Sequence, residues 1–302
     1  MKKTFIEMLS NLHLKHRLRE YNKYGSRVNG VKLRNSIHSF LLQFVILDRK
    51  KVKRELIVIN GKRAKTTKQT IFAATHIGGA DIESIFEAIQ TPAWLLLGDP
   101  NDIYLKSSGL LLWLNGVICV ETRNKMDRKI SKERCISVLK KGGNLLIFPE
   151  GAWNISPNRL VYYLYYGAVN MAFQTNAQII PVGVIRTKNK YYVNIGDIIV
   201  FPNDCRTEKE KTYYLRDKMA SLQWETIELL KDVNSQSINK NYYQKWIKEC
   251  FDVHGDTYSI NDVIETRFNP TYITDIEKVF EHLNHIQPNY KTAFLFNKRN
   301  HN

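Results

Sequence analysis

The rhythm of apolar positions changes near residue 67. Before it, Ile37, Phe40, Leu41, Phe44 and Val45 recur at spacings of three and four, which predicts one face of an amphipathic helix. Turn signals stand at Tyr24-Gly25-Ser26 and Asn29-Gly30. After it, short apolar runs alternate with helical segments. Thr70–Thr75, Gly116–Glu121, Asn144–Phe148, Gln178–Val184 and Tyr191–Ile195 read as strands. Asp81–Gln90 reads as a helix with Asp81 near its start, and Ser131–Lys140 as a helix stopped by Gly142-Gly143. Beyond Pro202 the chain turns polar and helical through Glu208–Asp232 and Asn241–Phe251. A less regular tail follows, with turns near Asn269-Pro270 and Gln287-Pro288.

Strands separated by helices predict an α/β fold with a mixed, mostly parallel sheet flanked by helices. Three parts follow: a basic helical arm over residues 1–66, an α/β domain over 67–205, and a mainly helical C-terminal extension over 206–302. Sheets of this kind place their chemistry in loops beyond the carboxyl ends of strands.

Charge sharpens the picture of the arm. The chain of 302 residues carries a net charge of +16. Residues 1–70 hold 18 Lys and Arg against 4 Asp and Glu, so nearly all of the excess lies there. A basic face concentrates anionic partners such as lipid head groups, an acidic carrier protein or nucleic acid. No apolar stretch reaches the roughly 20 residues of a spanning helix, and no secretory signal is read at the start. A cytoplasmic protein peripheral to the inner face of an anionic membrane is therefore expected. The four cysteines, Cys119, Cys135, Cys205 and Cys250, form no C-x-x-C pair and suit a reducing setting. Neither a disulfide framework nor a zinc site is expected.

The chemistry concentrates in Thr75-His76-Ile77-Gly78-Gly79-Ala80-Asp81. A strand ends, a histidine follows, two glycines permit an unusual turn, and an aspartate opens a helix. Among the 8 histidines only His76 has an aspartate five positions on. A carboxylate on one imidazole nitrogen fixes the tautomer and leaves the other nitrogen to take a proton from a hydroxyl. Gly78 and Gly79 also offer backbone N–H groups for an oxyanion.

Three further segments appear in order: Gly116-Val117-Ile118-Cys119-Val120-Glu121-Thr122-Arg123, then Phe148-Pro149-Glu150-Gly151, then Ile180-Pro181-Val182. With the His-x4-Asp block they resemble the glycerolipid acyltransferase family of the lysophosphatidate-acyltransferase, PlsC-like type, over roughly residues 67–200. The resemblance implies single-step transfer of a fatty acyl group from acyl-CoA or acyl-carrier protein to a lysophospholipid or glycerol-phosphate-like hydroxyl. It implies no cofactor beyond that donor and no metal. His76 would be the general base and Asp81 its orienting partner, with Arg123, Phe148, Pro149, Glu150, Gly151 and Pro181 on the substrate side.

Two departures bear on the acceptor. Ala152-Trp153-Asn154 stands where the family has Thr-Arg-Ser, and Thr122 takes the usual place of the arginine, which falls one residue later at Arg123. In an extended strand one step turns a side chain to the opposite face. Two other readings of the same chain are a basic nucleic-acid-binding protein and a thioester hydrolase using the same histidine. Zinc-finger spacing, G-x-S-x-G and H-E-x-x-H are all missing, and the first reading leaves the four ordered blocks without an account. No nucleic-acid partner is expected. A degenerate lipid-binding relative would not need the intact His76 and Asp81.

Overall fold

A computed structural model describes residues 2–98, 108–156, 159–187, 189–230 and 260–268, with Gln244, Ile247, Lys248 and Phe251 between them. Two helices open the chain, α1 (Lys2–Tyr24) and α2 (Val31–Lys51). Gly25 and Gly30 take left-handed φ values of 67° and 75° between them, where both turn signals lie.

The sheet and its covering helices follow in the order β1 (Glu55–Ile59), a 3-10 turn (Gly61–Ala64), β2 (Thr70–Ala74), α3 (Asp81–Ile89) and β3 (Trp94–Leu97). Then come α4 (Ser108–Asn115), β4 (Val117–Cys119), α5 (Lys125–Lys140), β5 (Leu145–Ile147), α6 (Gly167–Thr175), β6 (Gln178–Thr187), β7 (Lys190–Ile195), α7 (Glu208–Leu229) and α8 (Ile260–Thr266). The strand order is β1-β7-β6-β2-β5-β3-β4, and every pairing is parallel except β6 with β7. The sheet thus has the expected mixed, mostly parallel character.

β2 shows why an unbroken apolar run becomes a central strand. Ile71 and Ala73 face one core with α5, α6 and α7, whereas Phe72 and Ala74 face the other with α2 and α3. Both faces are covered, so no polar position interrupts the run. Burying Phe72 fully contributes about 1.5–3 kcal/mol.

Pro181 lies inside β6, where a missing N–H would ordinarily break a ladder. Its carbonyl accepts from Gly196 N at 2.9 Å, so its absent donor faces the side on which β7 has already ended at Ile195. The ladder to β2 continues past it, with Thr75 N donating to Val182 O at 3.0 Å.

The sequence reading and the structure differ at the first boundary. β1 falls inside the segment assigned to the arm, yet it pairs with β7 and belongs to the sheet. The arm also packs on the domain. Arg17 of α1 donates to both carboxylate oxygens of Asp127 in α5, at 3.2 and 2.6 Å, and both residues are buried. Arg34 of α2 lies 5.0 Å over the rings of Trp94 and Trp113 and donates to the Trp113 carbonyl. The Glu208–Asp232 helix is found as α7 as far as Leu229, begun by a capping box between Thr207 and Glu210, and residues 231–232 lie outside the described residues. Of Asn241–Phe251, only the helical Gln244, Ile247, Lys248 and Phe251 are described, and the turns near Asn269-Pro270 and Gln287-Pro288 lie outside the described residues.

Candidate active site

Parallel register brings the two principal loops together. Ala73 of β2 pairs with Ile147 of β5, and His76 and Glu150 each stand three residues further on. Two motifs distant in sequence therefore leave the sheet side by side at its carboxyl edge.

His76 Nδ1 lies 2.8 Å from Asp81 Oδ2. The same oxygen accepts from Ile77 N at 2.8 Å and Gly78 N at 2.9 Å, while Oδ1 accepts from Ile82 N at 2.8 Å. A carboxylate that already accepts three backbone donors leaves Nδ1 to carry the proton. The lone pair of the neutral ring then sits on Nε2, which has no hydrogen-bond partner among the described residues. Asp81 is the first residue of α3, where the helix dipole also favours a negative charge. The His76 side chain is 16% exposed and that of Asp81 only 1%, so the base is reachable and its orienting acid is sealed.

The loop is possible because Gly78 and Gly79 adopt φ values of 74° and 73°. A side chain at Gly78 would press on the Trp153 ring, and one at Gly79 would collide with the Tyr191 hydroxyl. That hydroxyl accepts from Ala80 N at 2.9 Å and supports the turn from below. Burial raises the Tyr191 phenol above its ordinary pKa, so it stays protonated. The expectation that the Gly78 N–H serves an oxyanion is overturned. That donor is spent on Asp81.

Glu150 reaches His76 through its backbone. Fully buried, it accepts from His76 N at 3.0 Å through Oε1, and from Tyr162 N at 2.7 Å and Asn154 Nδ2 at 3.0 Å through Oε2. Asn154 N returns a bond to the His76 carbonyl at 2.6 Å. Both main-chain groups of His76 are thus clasped by the Glu150–Asn154 loop. Gly151 takes a φ of 74° in the turn, and Pro149 O accepts from Tyr165 N at 2.8 Å. Phe148 stacks on the imidazole at 4.1 Å between ring centres, and Trp153 meets it edge to face at 6.2 Å.

Not every nominated residue joins this group. Pro181 is buried within β6 opposite Ala73, short of the strand end that carries His76. Arg123 lies beyond β4, which is separated from β2 by β5 and β3. Strand parity does not set the direction of its side chain, because the chain turns there, with Asn124 N bonded to Glu121 O at 3.0 Å. Its guanidinium is exposed and donates to Glu265 of α8 at 2.6 Å.

Several contributors escaped sequence reasoning. Asn154 and Trp153 were visible only as departures from the family pattern. Thr75 closes β2 by accepting from Val184 N at 2.8 Å and Gln223 Nε2 at 2.7 Å. Tyr191 and Gln223 carry no local signal linking them to His76. Among the described residues no group of three His, Cys, Asp or Glu side chains is placed to hold a metal ion.

Residues 55–185 match the family model described as Acyltransferase. The chain is 25% identical over 141 residues to the 1-acyl-sn-glycerol-3-phosphate acyltransferase of Borreliella burgdorferi, a match covering 47% of this chain and 55% of that protein. It is likewise 25% identical over 132 residues to the enzyme of the same name from Salmonella typhimurium, covering 43% and 53%. The chain therefore spans about half the length of these curated relatives. Its fold is similar to the crystal structure of the 1-acyl-sn-glycerophosphate (LPA) acyltransferase PlsC from Thermotoga maritima. That match has a TM-score of 0.53 and 16% identity, and it covers 77% of this chain and 99% of that one. The segment from β1 into β6 accordingly matches the Acyltransferase family model, and the chain is PlsC-like in fold.

Proposed function

We propose that this protein is an O-acyltransferase that moves a fatty acyl group from acyl-CoA or acyl-carrier protein to the hydroxyl of a lysophospholipid or glycerol-phosphate-like acceptor. The observation that carries this reading is the His76–Asp81 pair, whose Nε2 has no partner among the described residues, at the carboxyl edge of a domain that matches the Acyltransferase model. His76 Nε2 takes the proton of the acceptor hydroxyl as its oxygen attacks the thioester carbonyl. The tetrahedral intermediate collapses, the C–S bond breaks, and the thiolate leaves to be protonated. Asp81 holds the tautomer and stabilises the imidazolium formed in between. The route needs no group beyond the acyl donor. Arg123 offers a planar donor fork to the acceptor phosphate.

The reaction site belongs at a membrane surface, at the inner face of an anionic bilayer. Leu33, Phe40, Phe44 and Leu47 of α2 are exposed along one side of the helix, and Arg49, Lys50 and Lys51 close its last turn. An apolar strip beside basic residues suits an interfacial helix, each cation near the surface adding about 1 kcal/mol. No described helix is long and apolar enough to cross a membrane.

The experiment supplies labelled acyl-CoA and acyl-carrier protein with a panel of lysolipids and glycerol phosphate. An ester product with one of them is expected. Release of free fatty acid that ignores the acceptor would show a hydrolase instead. In parallel, Phe40→Ser with Phe44→Ser should weaken flotation with anionic vesicles, and unaltered flotation would remove the membrane part of the reading.

A further inference from the structure

We propose that Glu265 is a specificity-determining residue, a resident anion on Arg123 that a phosphate-bearing acceptor must displace. This rests on the acyltransferase reading above and adds a residue that the four sequence blocks do not contain.

The placement of Glu265 does not depend on its ion pair. Val263, in the same helix, packs in one cluster with Trp153 and Ile155 of the loop that follows Glu150. Tyr165 donates its hydroxyl to the Thr266 carbonyl at 3.2 Å, and Phe268 N donates to Glu150 O at 3.4 Å. The Phe268 ring packs on Tyr165 and Tyr166, with centres 4.7 and 5.6 Å away. α8 is therefore fastened to the loop that clasps His76, and Glu265 reaches from it to Arg123 at 2.6 Å. One short helix spans the space between the base and the cation nominated for the acceptor.

The pair is easily exchanged. Both side chains are about 60% exposed, at 61% and 60%, and pairs in that setting are held only weakly. A phosphate monoester brings roughly 1.5 to 2 negative charges and three acceptor oxygens, and it matches the guanidinium fork at least as well as a carboxylate. Glu265 therefore raises the KM for acceptors that carry a phosphate and leaves uncharged acceptors unaffected.

The test uses the full chain at fixed ionic strength with two acceptors sharing the same hydroxyl, lysophosphatidate and monoacylglycerol. Wild type, Glu265→Gln, Arg123→Gln and the double variant are compared. Glu265→Gln should lower the KM for lysophosphatidate by up to about five-fold, with kcat and the monoacylglycerol KM unchanged. In the Arg123→Gln background the same change should have no effect. An unchanged or raised KM, an equal drop with both acceptors, or a drop that persists without Arg123 would overturn the inference. Absence of transfer to any acceptor by the wild type would instead sink the acyltransferase reading. Binding of glycerol 3-phosphate to the same four proteins reads the Glu265 effect without turnover, with the same up to about five-fold tightening expected and no tightening overturning it.

Discussion

Asp81 and Asp127 are both buried, both lie in the first turn of a helix, and both accept from a backbone N–H just upstream. Their side-chain partners separate them. Asp81 meets a histidine whose second nitrogen has no partner among the described residues, in a side chain that keeps some exposure. Asp127 meets Arg17, which is permanently charged, buried and bonded through two nitrogens. The first arrangement can accept a proton and return it. The second can only hold α1 to α5 and the turn before it. Burial of an acid does not make a site; a titratable partner open on its far side does.

Changing each pair should therefore break different things. Asp81→Asn should reduce kcat by about 10²–10⁴-fold, measured as product per folded molecule, with far-ultraviolet circular dichroism retained. Full activity in that variant would reduce the pair to a structural contact. Arg17→Ala strands a buried carboxylate and should cost about 3–5 kcal/mol in denaturant unfolding, with transfer per folded molecule altered much less than in Asp81→Asn. A loss of transfer as large as that of Asp81→Asn, without a stability loss, would erase the distinction.

A smaller effect tests the α1 joint by pH. Burial, then the neighbouring Arg17, pushes the His13 imidazole from 6.5 down to about 4, and Arg17 Nη1 lies 2.9 Å from its Nδ1. The folded state favours the neutral ring, so this contribution is present above pH 6.5 and is lost as the pH falls towards 4. Over that window the protection factors of α1 amides, taken against intrinsic exchange, should fall more than those of β2. His13→Gln should remove the difference, and identical pH profiles in the two elements would show that His13 does not govern the joint.

Legibility followed sequence distance. His76 and Asp81 could be read together because one tight turn joins them, and the Phe148–Gly151 loop came with them through the family pattern. β2 was plain because burial on both faces leaves an uninterrupted apolar run. β1 was not, since its residues are largely exposed or half-buried at the sheet edge and lie among lysines and arginines. β3 and α4 carry apolar residues without a decisive period, so neither announced its type. Strand parity could not place the Arg123 side chain, because the chain turns between Glu121 and Asn124. Tyr191 and Gln223 support the His76 segment from 111 and 148 residues away in their contacts, a relation only tertiary structure creates.

The most direct test of the central claim is the rate of ester formation by His76→Ala beside the wild type, with equal amounts of folded protein verified by melting. A loss of about 10²–10⁴-fold with an intact melt is predicted. Product formed at close to the wild-type rate would contradict it, and the imidazole would then have no part in activating the acceptor.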